Sequence, residues 1–274
     1  MVSLIHKIQS ADSIKDYRPI AVANFKSRII SKILVDRLAL VAATIISPNQ
    51  YGFVQGRQIQ DCIGFASEAI NMFSKKVRGG NVAYKVDIHK SFDTLSFKFL
   101  LLVLRHFGFH PSFVGWISTI LRSVMLSFRI NGSLLGFFPC SRGVRQGDPL
   151  SPLLFCFAEE VLSRCISKLV NDKKILHMAS PQVYLTPSHI LYNDDIFVFC
   201  RGRGDNKSLR NLSIFLKTYD DFSGQYVNNS TSSFFTMDNS ARFVTKIQRI
   251  LSYSHGCLPF NYLGVSILVS VPKC

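Results

Sequence analysis

Three aspartates offer the chemistry that can be read most directly from this sequence. Asp194 and Asp195 stand side by side in HILYNDDIFVFC, residues 189–200, between two strongly apolar runs. An ionised carboxylate withdrawn from water is costly unless it is paired or bound to a metal. A hairpin turn is the plainer reading, because Asn and Asp both tolerate unusual backbone angles. Asp87 recurs in matching context, near the end of an apolar strand in YKVDIHKSFD, where a strand-end cap is the simple alternative. If its strand lies beside the 189–200 hairpin, Asp87, Asp194 and Asp195 converge at one edge of a sheet and repel one another. A pair of Mg²⁺ ions would resolve that repulsion, since hard divalent cations prefer carboxylate oxygen and keep room for phosphate and water. Two such ions about 4 Å apart can activate one oxygen and stabilise the leaving one in phosphoryl transfer. Between the carboxylates runs SRGVRQGDPLSP, where Gly143 and Gly147 let backbone approach a ligand and Arg145 and Gln146 offer donors. The same loop also reads as a simple approach to a helix.

These residues need strands and helices to hold them. Asn81–Ile88 alternates like a strand, and the 189–200 stretch reads as a hairpin. Asn131-Gly132 fits a type I′ turn between two further apolar strands. Phe25, Ile29, Ile33, Leu34, Leu38 and Val41 recur at helical steps until Ser47-Pro48-Asn49. A second helix is expected over 61–77, capped by Asp61. Another follows Ser96 as N-cap with Gly108 as C′ residue, and Pro111 opens one that runs to about residue 124. Further helices are expected near 153–169, 206–222 and 241–251, then a short strand pair at FNYLGVSI. Helices alternate with hairpins, so the fold class is α+β.

Composition narrows the partner. The chain has 274 residues, 47% hydrophobic, enough for a sizeable core. It carries 32 Lys+Arg against 17 Asp+Glu, a formal charge of +15, which favours a polyanionic partner. The seven cysteines are scattered without a CxxC pair and read as small buried hydrophobes of a reducing compartment. The seven histidines show no metal-ligand spacing. No signal peptide and no long apolar run is present, so neither secretion nor a membrane span is expected.

The order of motifs resembles the reverse transcriptase domain of LINE-type, non-LTR retrotransposons, plant copies in particular. DYRPIAVANFKSRIISKIL looks like the opening fingers motif, and YGFVQGRQIQD is similar to the family segment ending in Gly-Arg-Gln. YKVDIHKSFD resembles motif A, SRGVRQGDPLSP motif B and LYNDDIFVF motif C. SGQYVNNSTSS is similar to the motif D region and FNYLG to the primer-grip motif. The resemblance implies fingers over residues 1–80, a palm over 81–256, and the primer grip with the start of a thumb over 257–274. It implies DNA synthesis from dNTPs on an RNA template and a DNA primer, with two Mg²⁺ ions and Mn²⁺ as a possible substitute. Asp87 and Asp194 would hold both ions, with Asp195 the weaker third carboxylate. Phe92 would screen the sugar against a 2′-hydroxyl, and Gln146 and Gly147 would line the nucleotide and template pocket. Arg18 and Arg28 would reach the triphosphate, with Lys26 an alternative to Arg28. Tyr192 and Asn193 would lie on the substrate side, and Tyr262, Leu263 and Gly264 would steady the primer. No membrane partner is implied, and nuclear residence would follow from the element's way of life.

Several positions depart from the family. Asn193 stands where Ala is usual and would lie near the primer end. His89 and Ser91 depart in motif A, His6 replaces a proline, and Thr231 aligns with the motif D lysine, a candidate proton donor to pyrophosphate. Losing a general acid costs on the order of 10²-fold in rate. With the chain ending soon after Gly264, a fragment or decayed copy is expected. The competing reading is a catalytically silent nucleic-acid-binding remnant. A two-metal nuclease shares the carboxylate logic but leaves Phe92 and the RQGDPLSP loop unexplained. An anionic lipid surface is disfavoured because no clean amphipathic, Trp-rich face occurs.

Overall fold

The computed structural model describes residues 2–7, 9–10, 12–13, 16–21, 24–74, 80–130, 133–179, 186–202, 207–238 and 240–268. In chain order the elements are β1 (Val2–His6), β2 (Tyr17–Ala21), α1 (Phe25–Ile45), α2 (Ile59–Asn71), β3 (Asn81–Asp87), α3 (Ser91–Thr94), α4 (Phe97–His106) and α5 (Pro111–Arg122). Then follow β4 (Met125–Ile130), β5 (Ser133–Pro139), α6 (Ser151–Asn171), β6 (His189–Tyr192), β7 (Asp195–Arg201) and α7 (Lys207–Ser223). The last are β8 (Ser233–Thr236), α8 (Ala241–Leu251), β9 (Ser254–His255), β10 (Phe260–Tyr262) and β11 (Val265–Ile267). The mixture is the α+β arrangement expected of the palm and fingers. Two compact units emerge, one of Met1–Ile45 with Lys90–Ala158 and one of Ile46–His89 with Glu159–Cys274.

The first unit holds a four-stranded sheet of order β2-β1-β4-β5, in which only β1 and β4 run parallel. The β4–β5 pairing matches the expected hairpin, while its Asn131-Gly132 turn lies outside the described residues. Ser96 caps α4 by accepting the Phe99 N–H at 3.4 Å, and Gly108 takes φ 84°, as a C′ glycine should. Helix α5 starts at Pro111, with the His110 side chain accepting from Ser112 N–H. Helix α1 differs from its sequence pattern. It buries Ser31, Leu34, Leu38 and Ala42, while Phe25, Ile29, Ile33 and Val41 are exposed. The inward face thus includes a polar contact, the buried Asp148 accepting the Ser31 hydroxyl at 3.3 Å.

The second unit is built on a five-stranded sheet of order β6-β7-β3-β8-β9. One face carries Ala83, Phe197, Phe199 and Phe235, packed with Cys62, Ala66, Ala69 and Ile70 of α2 and with Tyr262 of the β10–β11 hairpin. Helix α2 begins at Ile59 rather than Asp61 and ends at Asn71, followed by a 3₁₀ turn over Met72–Ser74. Asp61 sits in its first turn, where a carboxylate favours the N-terminal dipole, and Gln58 occupies the cap without a side-chain bond. The remainder of the expected 61–77 helix lies outside the described residues. Cys62, Cys156 and Cys200 are buried as free thiols, the role composition indicates. No helix among the described residues is long and apolar enough to cross a membrane.

Candidate active site

Strands β3 and β7 run antiparallel, with Asp87 directly opposite Asp195. Residues opposite one another share a face, so both carboxylates project to the side that packs against α2. Lys85, two residues before Asp87, shares that face, and its ammonium lies 3.5 Å from Asp195 Oδ1. This pair is about one-third exposed, so it offsets part of the like-charge repulsion rather than cancelling it.

Tyr192 pairs with Asp195, which leaves Asn193 and Asp194 as the two central residues of the β6–β7 turn. Asn193 takes φ 56°, in the left-handed range that Asn adopts at lower cost than most residues. The turn is braced from the side. Tyr51 N–H donates to the Leu191 carbonyl and Leu191 N–H to the Asn49 carbonyl, each at 2.8 Å. Arg57 ties this brace down by donating to the carbonyls of Ile46, Ser47 and Gln50. Gly52 then lies against the turn: a Cβ there would fall 2.8 Å from Asn193 N and would collide with the Asn193 side-chain oxygen. That oxygen is buried without a hydrogen-bond partner among the described residues.

The loop after α7 closes around Asp87. Asp87 N–H donates to Ser232 Oγ at 3.0 Å, Asn228 N–H donates to the Asp87 carbonyl at 2.8 Å, and the Thr231 hydroxyl donates to Asp87 Oδ2. His89 stacks on Tyr226 of the same loop at 5.2 Å, with its N–H on the Tyr226 carbonyl. Thr231, expected from the sequence to stand at the motif D lysine position, thus sets a hydroxyl against Asp87. Among the described residues no group of three or more His, Cys, Asp or Glu surrounds a single metal position. The structure brings Asp87 and Asp195 together and sets Asp194 on the adjoining turn.

Behind the turn lies Glu159 of α6, an acidic residue within the apolar run LLFCFAEEV. Burial raises its pKa from 4.5 to about 8, and the charge of Asp194 adds to the rise, against hydrogen bonds from its neighbours. The Tyr219 hydroxyl lies 3.3 Å from Glu159 Oε1 and 2.9 Å from Gln225 Oε1. Neighbouring Glu160 is also buried, but accepts the Ser47 N–H and the Arg164 guanidinium.

Leu263 (φ 49°) and Gly264 (φ 83°) form the β10–β11 turn. Tyr262 is wholly buried, edge-on to Phe197 at 4.8 Å with its hydroxyl 3.2 Å from Cys62 Sγ, so it anchors the turn. Burial raises its pKa, with the Cys62 thiol and the Asp195 charge adding to the effect. Solvent reaches Gly264, and Leu263 in part.

The other expected site residues belong to the first unit. Phe92 in α3 stacks on Phe155 at 4.4 Å with 14° between the rings. Gln146 Nε2 donates to Asp93 Oδ1 at 3.3 Å, and its carbonyl accepts the Ala21 N–H. Asp93 is raised by burial, against Lys90, Gln146 and Lys7. Gly143 (φ 83°) lies so close to Asp93 that a Cβ would sit 2.6 Å from its carbonyl oxygen. Gly143 and Val144 N–H donate to the carbonyls of Leu95 and Phe92, both at 2.7 Å. Gly147 (φ 97°) would place a Cβ 3.1 Å from Ile20. The Gly-rich loop is thus laced to its own unit by its backbone. Arg18 on β2 and Lys26 and Arg28 on α1 are exposed, and Arg28 borders a groove with Phe25, Lys32 and Pro149. Sequence reading missed Lys85, Asp93 and Glu159. The period-2 alternation from Asp87 signals Lys85, and a lone acid in an apolar helix signals Glu159.

The chain resembles known proteins in sequence and in fold. Over 198 residues the chain is 29% identical to the transposon TX1 uncharacterized 149 kDa protein of Xenopus laevis, covering 72% of this chain and 15% of that protein. It is 30% identical over 169 residues to the retrovirus-related Pol polyprotein from type-2 retrotransposable element R2DM of Drosophila melanogaster, covering 62% and 16%. The chain thus spans about a sixth of the length of these curated relatives. In fold it is similar to telomerase from Candida albicans, solved with a fragment of telomeric RNA, at TM-score 0.58 and 13% identity, covering 87% of this chain and 43% of that one. Residues 5–267 match the family model described as reverse transcriptase (RNA-dependent DNA polymerase). With that match running through both carboxylate strands and the Gly-rich loop, the chain belongs to the reverse transcriptase family.

Proposed function

We propose that this chain is the polymerase domain of a non-LTR retrotransposon protein, extending a DNA primer with dNTPs on an RNA template. The observation that carries the reading is the register of β3 on β7, which sets Asp87 opposite Asp195 beside the turn bearing Asp194. Similarity to the retrotransposon proteins supports the biological setting, and the +15 charge suits a ligand bound through its phosphates. Backbone contacts also supply the indifference to sequence that a polymerase needs.

The donors fit divalent cations in kind: they are oxygen only, and Asp87, Asp194 and Asp195 are partly exposed. Asp87 and Asp194 would hold two Mg²⁺ ions, with Asp195 as support and Mn²⁺ as a substitute. Bound there, the ions would lower the pKa of the primer 3′-hydroxyl and neutralise charge on the triphosphate. The chain's own residues set the stage. Thr231 and Ser232 fix the position of Asp87, Lys85 tempers the charge of Asp195, and Gly52 leaves room for the turn at Asn193. Phe92 would select against a 2′-hydroxyl, Gln146 and Gly147 would meet the nucleotide, and Arg18, Lys26 or Arg28 would meet its phosphates. Leu263 and Gly264 would meet the primer from the turn that Tyr262 anchors.

The second reading is a silent nucleic-acid-binding remnant, favoured by the hydroxyl of Thr231 on Asp87, where a lysine proton donor is the family's rule. Primer extension on RNA with Mg²⁺ or Mn²⁺ separates the two. Extension that disappears in Asp87→Ala and Asp194→Asn supports the polymerase; RNA binding without extension, unchanged by Asp194→Asn, supports the remnant. Cleavage of labelled primer instead of growth would point to a nuclease.

A further inference from the structure

We infer that a cleft between α7 and α8 is a second polynucleotide site, one that grips the phosphate backbone of single-stranded RNA away from the carboxylates. The cleft measures about 590 Å³ and is lined by Arg210 of α7 and by Arg242, Thr245, Lys246 and Arg249 of α8. Arg242, Lys246 and Arg249 recur at steps of four and three, which places them on one face of the helix. The opposite face buries Ile247 and Leu251, so packing fixes which side is offered outward.

Two features separate this surface from an ordinary solvated helix face. Helix α8 contains no Asp or Glu, and Arg210, Arg242 and Arg249 are exposed with no salt bridge among the described residues. Like charges one turn apart destabilise a helix by a few tenths of a kcal/mol per pair, and α8 itself supplies no acid to offset them. Second, the cations converge from two helices on one concavity, the geometry that lets several guanidinium forks meet successive phosphates. The cleft is distinct from the carboxylate face: neither its residues nor the buried residues of α7 belong to the core that covers Asp87 and Asp195. RNA is chosen as occupant because the inference rests on the polymerase reading, in which the template is the long single strand that must be held beyond the site of synthesis. Arginine side chains and an open cleft ask only for phosphate spacing, so the grip is independent of sequence.

The test is the salt dependence of binding of a fluorescent single-stranded RNA, using the whole chain. Arg242→Gln/Arg249→Gln keeps an unbranched polar side chain and similar helix propensity, and Lys98→Gln/Arg105→Gln on α4 removes the same net charge elsewhere. Losing two phosphate contacts should lower the slope of log K against log salt by about 1.4, near 0.7 per contact. The α4 variant should keep the wild-type slope, and Arg242→Lys/Arg249→Lys should restore most of it. Equal slopes in the two Gln variants would overturn the inference, since binding would then follow net charge. So would a cleft variant that binds RNA normally but loses binding to phosphatidylserine vesicles, which would make the cleft a lipid contact. Failure of the polymerase reading looks different: wild-type chain would not extend a primer, whatever the cleft variants do to RNA binding.

Discussion

Replacing Glu159 by Gln should change how the stability of this protein depends on pH. In the unfolded chain Glu159 ionises near 4.5; in the fold, burial holds it protonated until about 8. Between those values the unfolded state gives up a proton that the native state keeps, so each pH unit removes about 1.4 kcal/mol of stability. By pH 7 the accumulated loss is on the order of 3 kcal/mol, a large share of a typical domain's stability. The sign follows from the raised pKa: stability from this group is fully present below the unfolded value and is lost as pH rises through the folded one. Gln cannot ionise, and its side-chain oxygen can still accept from Tyr219, whose hydroxyl lies 3.3 Å from the present acceptor. The assay is urea unfolding of wild type and Glu159→Gln from about pH 5 to pH 8, read as the difference between the two curves. Other titrating groups are common to both proteins and cancel in that difference. The variant should gain on wild type steadily across the range. Parallel curves would refute the reasoning and mean that Glu159 is ionised in the fold.

Other residues give independent tests. His189, buried among Asn49, Ser163 and Ser188, has its pKa lowered by burial to about 4, so it makes the fold sensitive to acid. Stability should fall as pH drops from about 6.5 toward 4, and His189→Gln should flatten that limb in the same unfolding series. Gly143→Ala forces a Cβ into the Asp93 carbonyl at a positive φ and should cost about 2 kcal/mol or more, seen as an earlier urea midpoint. Phe92→Val should raise ribonucleotide incorporation relative to deoxynucleotide roughly tenfold, measured as a ratio so that lost stacking on Phe155 does not confound it. An unchanged ratio would remove Phe92 from sugar selection.

The carboxylate strands are legible in the sequence because alternation fixes which residues share a face, and the apolar runs around Asp87 and Asp194 fix where each strand ends. The register that sets Asp87 on Asp195 is long-range, but a one-residue slip would turn Phe197 and Phe199 out of the core. Helix caps at Ser96 and Pro111 are equally local and equally legible. What fails is the inward face of α1, where Ile29 and Ile33 look like core. The Ser31–Asp148 bond on the face that is buried joins residues distant in sequence and has no periodic signature. Thr231 is visible only as a departure from the family. Its hydroxyl on Asp87 depends on a loop that wraps back across the strand end, and spacing does not encode that path. Glu159 is similar, since its proton is held by burial from three elements at once.

The contact between Gly52 and Asn193 has an evolutionary consequence. A Cβ at position 52 would stand 2.8 Å from the Asn193 backbone nitrogen as well as in the space of its side-chain oxygen, so shrinking the residue at 193 does not free position 52. Glycine is demanded there by the path of the turn itself. Among related chains whose hairpin keeps this path, position 52 should stay glycine whatever residue stands at 193.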